Sequence, residues 1–470
     1  MPTHYRCGRF FNGLEDEPRL DHTLVVDGDT ISYAGPSDAA PQPNKGDEVV
    51  DYSEYFVMPG LSDAHTHCSF GAQQQLEEID MYAPLEFRAL RAVINAQRVL
   101  QSGHTALIDP GSTGRVMVSV RDAINSGMFK GPRITCSGPF VSTYQGYTAF
   151  YPTWFNNPTA VVELVHDLDG GFEILRRQVK DGVDFIKIAM DGSAIKNGEL
   201  AATWTQDDTT RLIGEAHRLG KRVIAHAKGR EGALRATRAG VDVIYHYSWM
   251  DNEVLDAVLE NGTVICPSLT IIGNRYRYTH PTDPHGRARG SGGKKFDDGR
   301  DADWDGHGRR PDMGEKEWAG AVESARKAHA AGVTIMCGSD SGFAVNPCGE
   351  WHAQEIVDLV KHIGLSEAEA LRSATSVNAW FLTGGDRLGS LEAGKLADFI
   401  VVDGDPLTNI EVLLDKPKIK QIYVGGELAK FDVGLPTNEE YRFSYRMWQE
   451  IYDQKAVKEL AAASKLRVMS

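Results

Sequence analysis

The middle of the chain alternates between short apolar runs and amphipathic stretches. The runs lie at 105–108, 132–137, 185–190, 222–227, 242–247, 263–269 and 334–337. Bounded by turn residues and rich in Val and Ile, they read as buried strands. The stretches between, such as 211–219 and 231–239, place apolar residues at helical spacing. A further strand ends at Val57-Met58-Pro59-Gly60-Leu61-Ser62-Asp63, directly before His65-Thr66-His67. Eight strands alternating with helices predict an α/β fold, a closed (β/α)8 TIM barrel.

Both chain ends read differently. Thr23-Leu24-Val25-Val26, the turn Asp27-Gly28-Asp29 and Thr30-Ile31-Ser32-Tyr33 make a hairpin signal. Asp398-Phe399-Ile400-Val401-Val402 and Ile422-Tyr423-Val424 repeat that character near the other end. The pattern predicts a small β-sandwich built from residues 1–57 and 386–434 around a barrel at 58–385. A helical extension follows at 435–470, with Tyr441, Phe443, Met447 and Ile451 as its apolar positions. Two connections stand out: 137–158, rich in aromatics, and 272–313, long, charged and Gly-rich. In a barrel both fall on the active-site face, as lid or pocket wall; packing against another subunit or disorder are the alternatives.

With 470 residues, 41% of them hydrophobic, the chain can bury a large core. Its formal net charge of -15 speaks against nucleic acid or an anionic membrane as a partner. No apolar run approaches the roughly 20 residues that cross a bilayer, and residues 1–11 lack the apolar segment of a secretory signal. Six cysteines are scattered without a CxxC pair, and Cys136, Cys266 and Cys337 fall inside apolar runs. That usage predicts buried thiols in a reducing cytoplasm.

The candidate chemistry lies at the strand ends. Side chains at i and i+2 of a strand point the same way, so His65 and His67 can reach one metal ion from one face. Lys187, His226, His246 and Asp340 each lie inside or at the C-terminal end of a predicted strand. Imidazole and carboxylate ligands suit zinc, with manganese, cobalt, nickel or iron as alternatives. The set exceeds what one tetrahedral ion requires, which points to two ions. Lys187 cannot bind a cation while protonated; as an N6-carboxylysine it becomes an anion able to bridge two metals. The alternative is a lysine paired with a buried acid such as Asp191. Asp340, in Gly338-Ser339-Asp340-Ser341-Gly342, is placed to bind a metal and move a proton from water to the leaving nitrogen; a helix N-cap is its other reading. Bound metals would lower the pKa of a bridging water and polarise a carbonyl. Lys228 and Arg230, just past a ligand strand, could hold a substrate carboxylate or begin a solvated helix. Tyr144, Tyr147 and Trp154 of the aromatic connection could take a bulky group or simply pack the loop.

These residues resemble the amidohydrolase superfamily over nearly the whole chain. The resemblance rests on the HxH after Pro59-Gly60-Leu61-Ser62-Asp63-Ala64, the strand-four lysine, Ile224-Ala225-His226-Ala227, Ile244-Tyr245-His246 and Gly338-Ser339-Asp340. It continues through Ala374-Thr375-Ser376-Val377-Asn378-Ala379 and Leu388-Gly389-Ser390-Leu391-Glu392-Ala393-Gly394-Lys395-Leu396-Ala397-Asp398-Phe399. It implies His65, His67 and Asp340 on one metal, His226 and His246 on the other, and carboxylated Lys187 between them. The branch it is similar to contains prolidase-like dipeptidases and ochratoxin-type amide hydrolases, with phenylurea and thiocarbamate hydrolases nearby. Lys228 stands where many dipeptidase relatives carry a second histidine, and Tyr245-His246-Tyr247 replaces the more usual Glu-His-Gly. The expected activity is metal-dependent hydrolysis of a C–N amide bond by a metal-bridging hydroxide. The expected substrate is a small-molecule amide, an N-acyl amino acid or hydrophobic dipeptide with a bulky or aromatic group, and the expected assembly a homo-oligomer. Hydrolysis of neutral aryl amides, ureas or carbamates is the alternative activity; a metal-free scaffold is the alternative of another class.

Overall fold

The computed structural model describes residues 1–71, 83–147, 152–154, 159–196, 199–279, 312–343 and 345–431. The chain opens with β1 (Thr3–Phe10), β2 (Arg19–Asp27), β3 (Thr30–Pro36) and β4 (Glu48–Pro59). After β4 it passes through Gly60 into β5 (Leu61–Asp63). Only glycine fits at that junction, because a Cβ would lie 2.1 Å from Thr105 Oγ1.

The barrel strands follow in order. They are β6 (His104–Asp109), β7 (Arg133–Cys136) with its continuation β8 (Phe140–Ser142), then β10 (Ile186–Ala189) after a short β9 (Val162–Leu164). A hairpin, β11 (Asp191–Lys196) and β12 (Glu199–Ala202), precedes β13 (Val223–Ala227), β14 (Val243–His246) and β15 (Val264–Cys266). β5, β6 and β7 pair in parallel, as do β8, β10, β13, β14 and β15. The gap between β7 and β10 is closed by the Asp184 N–H, which donates to the Cys136 carbonyl at 2.8 Å. The eighth segment is held by bridges rather than a ladder: Ile335 pairs with Ile265, and Ser341 with Thr66. Ala64 N–H donates to Cys337 O at 2.8 Å, and the ring is complete.

These strands are near-continuous apolar runs because both faces are covered. Ala64, Ile108, Phe185, Ile224, Val243, Tyr245 and Met336 fill the inside, while Leu107, Ile186, Ile188, Val223 and Ile244 meet the surrounding helices. Three of the helices begin at side-chain caps: Asp167 before Leu168–Lys180, Thr205 before Gln206–Arg218 and Asp251 before Asn252–Asn261.

β16 (Phe399–Val402), β17 (Ile419–Val424) and β18 (Glu427–Leu428) return to β4, giving one sheet in the order β18-β17-β16-β4-β1-β2-β3. Strands within residues 3–59 and 399–428 therefore share one sheet. Among the described residues the pairing defines one mixed sheet at these ends, where the pattern predicts two facing ones. Tyr5, Phe399 and Tyr423 pack on one another, and the Tyr52 and Tyr423 hydroxyls lie 2.7 Å apart.

Three expectations change. The β11–β12 hairpin is missing from the sequence reading, although Asn197-Gly198 between its strands is a strong hairpin dipeptide. The run at 263–269 ends early: Ser268 has φ 52°, and the helix Leu269–Thr279 starts there. The Glu355 carboxylate accepts that helix's first amides, from Leu269 at 2.9 Å and Thr270 at 2.7 Å. The connection expected at 272–313 is thus helical at both edges, to Thr279 and again over Asp312–Ala330. Residues 280–311, Phe150, Tyr151 and Phe155 of the aromatic connection, and the helical extension expected at 435–470 lie outside the described residues. All six cysteines are buried and unpaired. Among the described residues no helix is long and apolar enough to cross a membrane.

Barrel and sheet are joined by Arg133 at the start of β7. Its Nε and Nη2 donate to Asp398 at 2.6 and 2.9 Å, and the same carboxylate accepts from Gly425 N–H at 2.7 Å. Arg133→Met leaves a buried carboxylate half-paired and should cost about 2–3 kcal/mol. A fall in melting temperature by differential scanning fluorimetry is the expected result; an unchanged one would remove this joint from the account.

Candidate metal centre

His65, His67 and Asp340 come together at the C-terminal mouth of the barrel, all buried, with their ligand atoms within 4.8 Å of one another. Nε2 of each histidine lies 3.2 Å from Asp340 Oδ1. Their other ring nitrogens are occupied: His65 Nδ1 lies 2.7 Å from Ser268 Oγ, and His67 Nδ1 lies 3.1 Å from the Gly111 carbonyl. A carbonyl can only accept, so His67 carries a proton on Nδ1, and Nε2 is the nitrogen that faces Asp340. Against the upward push of burial, the His65 and His67 rings and Lys228 hold the Asp340 carboxyl well below the usual carboxylate range.

His226 and His246 form the neighbouring half. Their ring centroids are 4.5 Å apart, and His246 lies 5.3 Å from His65, which joins the halves. Burial holds His65, His226 and His246 below their ordinary values, hence neutral, the form that ligates metals. Lys187 lies beneath them, 1% exposed, its Nζ 3.8 Å from the Tyr245 ring centroid. That Nζ has no hydrogen-bond partner. Asp191, the alternative partner, is engaged elsewhere: Oδ2 accepts from the Lys228 and Gly229 amides at 2.9 and 2.8 Å, and Oδ1 faces His226 Nε2 at 3.4 Å. Burial pulls the Lys187 ammonium down to about 7, so a neutral amine is accessible near neutral pH.

Backbone strain marks the same place. Among the described residues, five non-glycine positions have positive φ, and four of them end barrel strands: His246 (79°), Tyr247 (51°), Ser268 (52°) and Asp340 (57°). Each costs on the order of 1–3 kcal/mol and persists only where its surroundings impose it.

The predicted substrate residues separate. Tyr147 packs edge-on against His226 at 5.4 Å and against Phe140 at 5.3 Å. The described contacts of Tyr144 run to His166, about which its hydroxyl lies at 3.0 Å, and Trp154 is 82% exposed. Lys228 is buried, and its Nζ pairs with Glu317 at 2.5 Å. Arg230 pairs with Asp251 and Glu253 at the surface. The structure therefore brings Tyr147 and Lys228 to the centre, and directs Tyr144 and Arg230 to other partners. Two aromatics the sequence reading missed stand beside His67: Phe70, stacked at 4.5 Å, and Phe343 at 6.1 Å.

The donor set fits a divalent metal. It offers imidazoles and one ionised carboxylate in a buried place, and two buried atoms facing it, Lys187 Nζ and Asp340 Oδ1, lack hydrogen-bond partners. Fold and site together define a barrel with a buried candidate metal centre at its mouth. The chain belongs to the amidohydrolase family, whose model matches residues 56–429. It is similar to ochratoxinase of Aspergillus niger, 24% identical over 454 residues covering 91% of this chain and 87% of that protein. Among solved structures it resembles an Xaa-Pro dipeptidase with bound methionine in its active site, 29% identical, TM-score 0.76, covering 92% of this chain and all of the other (100%). A prolidase complexed with N-methylphosphonate-L-proline is also similar, 25% identical with TM-score 0.75 over 92% of this chain and 100% of that one.

The close packing of the last barrel segment is testable. A Cβ on Gly338 would sit 2.7 Å from the His65 backbone nitrogen and 2.7 Å from Cys266 Sγ. Gly338→Ala must push His65 aside and should weaken zinc binding by about tenfold or more, read by chelator competition. Wild-type affinity in this variant would contradict the geometry.

Proposed function

We propose that this chain is a metal-dependent amidohydrolase with a two-metal centre. Its substrate is an N-acyl amino acid or a hydrophobic dipeptide with a bulky or aromatic group. The observation that carries the reading is the buried group His65, His67 and Asp340 set against His226, His246 and a Lys187 Nζ without a hydrogen-bond partner. His65, His67 and Asp340 would hold one ion, His226 and His246 the other, with Lys187 as a carbamate between them. Zinc suits the donors best. The bound ions supply Lewis acidity, lowering the pKa of water and polarising the scissile carbonyl.

The chain's own residues supply the rest. Neutral Lys187 Nζ would add to the carbon of carbon dioxide and give up one N–H proton to solvent water, leaving the carbamate anion. The ionised Asp340 carboxylate is placed to take a proton from the attacking water and hand it to the departing nitrogen. Phe70, Phe140, Tyr147 and Phe343 form an apolar wall beside His67 and His226, which excludes water and receives a bulky group. Lys228 supplies a buried positive charge next to the histidines for a substrate carboxylate. Similarity to a dipeptidase and an ochratoxinase supports this direction. The Lys228–Glu317 pair favours a second reading: with Glu317 neutralising the ammonium, the site also suits neutral aryl amides, ureas or carbamates.

Lys187→Ala should lose one equivalent of metal and about 1,000-fold or more in kcat/KM for N-acyl-phenylalanine. Retained activity would end the bridging role. Lys228→Met separates the substrate classes. Under the leading reading it raises KM for N-acyl-phenylalanine by about tenfold or more, roughly 1.4 kcal/mol, and leaves the matching neutral amide unaffected. Equal effects on both substrates, or none, would favour the neutral class.

A further inference from the structure

We propose that Asp63 and His352 form a positioning pair that sets the spacing of the His65, His67 and Asp340 group, and through it the hold on a metal ion. This rests on the metal reading above. Asp63 is the last residue of β5, and the chain bends at Ala64 before it reaches His65. It is 1% exposed, yet it is not a metal ligand, because its oxygens already receive four donors. Oδ1 accepts the backbone N–H of His65 at 2.8 Å and that of Ser339 at 3.0 Å. Oδ2 accepts the Ser339 hydroxyl at 2.5 Å and His352 Nδ1 at 2.6 Å. One carboxylate thus ties the backbone of the first ligand to that of the residue preceding Asp340.

The hydrogen bonds also fix the state of the imidazole. Gly349 N–H donates to His352 Nε2 at 2.8 Å, so that nitrogen is the acceptor and the ring proton sits on Nδ1, aimed at Asp63. The pair is a neutral imidazole donating to an ionised carboxylate, in a buried place where such bonds are strong. On the far side of Ser339, the Asn346 amide donates to the carbonyls of Ser339 at 2.6 Å and Asp340 at 3.1 Å. Asp340, held at φ 57°, is therefore gripped from before and behind. The histidine comes from the helix His352–Asp358, outside the ring of strands. It brings the fixed orientation that a flexible donor could not.

The test compares full-length wild type, His352→Ala, His352→Asn and Ser339→Ala, each titrated with zinc against a chromophoric chelator, with kcat and KM on N-acyl-phenylalanine. His352→Ala should weaken the affinity of one metal equivalent about 10- to 100-fold and lower kcat with little change in KM. His352→Asn keeps a donor toward Asp63 Oδ2 and should recover affinity to within a few-fold of wild type. Ser339→Ala removes one of the four donors and should fall between; it carries the test if His352→Ala does not fold. Variants that bind zinc as wild type does would overturn the positioning role, as would a lowered melting temperature with unchanged zinc affinity and kcat. A wild-type chain that binds no zinc would instead sink the metal reading itself.

Discussion

A barrel closes only if its last strand finds its first, and in this chain that seam has almost no ladder. The eighth segment touches the first through the Ala64–Cys337 hydrogen bond, the Thr66–Ser341 bridge and the Asp63 carboxylate. A single buried acid therefore does two jobs. It substitutes for missing strand pairing, and it fixes how far His65 and His67 stand from Asp340. Fold and site share one joint, which explains why it is built from short, charge-assisted hydrogen bonds rather than apolar packing.

The site above the joint follows a similar economy. Burial keeps the His65, His226 and His246 rings neutral and pulls the Lys187 amine toward neutrality. Strained backbone at His246, Ser268 and Asp340 aims side chains that an ordinary strand end would not aim. Ser268 illustrates the coupling. Its left-handed turn ends a strand, starts a helix capped by Glu355 and brings a hydroxyl to His65.

Much of this was legible in the sequence. The HxH pair, the strand-end lysine, two single histidines and Asp340 are visible because strand periodicity and apolar flanks are local properties. The partners that orient them are not local. Ser268 lies 203 residues from His65, and His352 lies 289 residues from Asp63, with nothing in their neighbourhoods to mark them. Asp63 was visible only as part of the motif that leads into the HxH pair. The aromatic connection misled by composition: its rings look alike in sequence, but Tyr147 meets His226 while Tyr144 turns to His166 and Trp154 to solvent. Lys228 and Arg230 likewise look like one clamp, and only the fold sends the first inward to Glu317 and the second outward to Asp251.

The most direct measurement is an anomalous-scattering map at the zinc edge from crystals grown with zinc and bicarbonate. The account predicts two peaks. One lies within bonding distance of His65, His67 and Asp340, the other beside His226 and His246, with added density on Lys187 Nζ reaching both. A bare Lys187 with one peak, or with none at these residues, would contradict it.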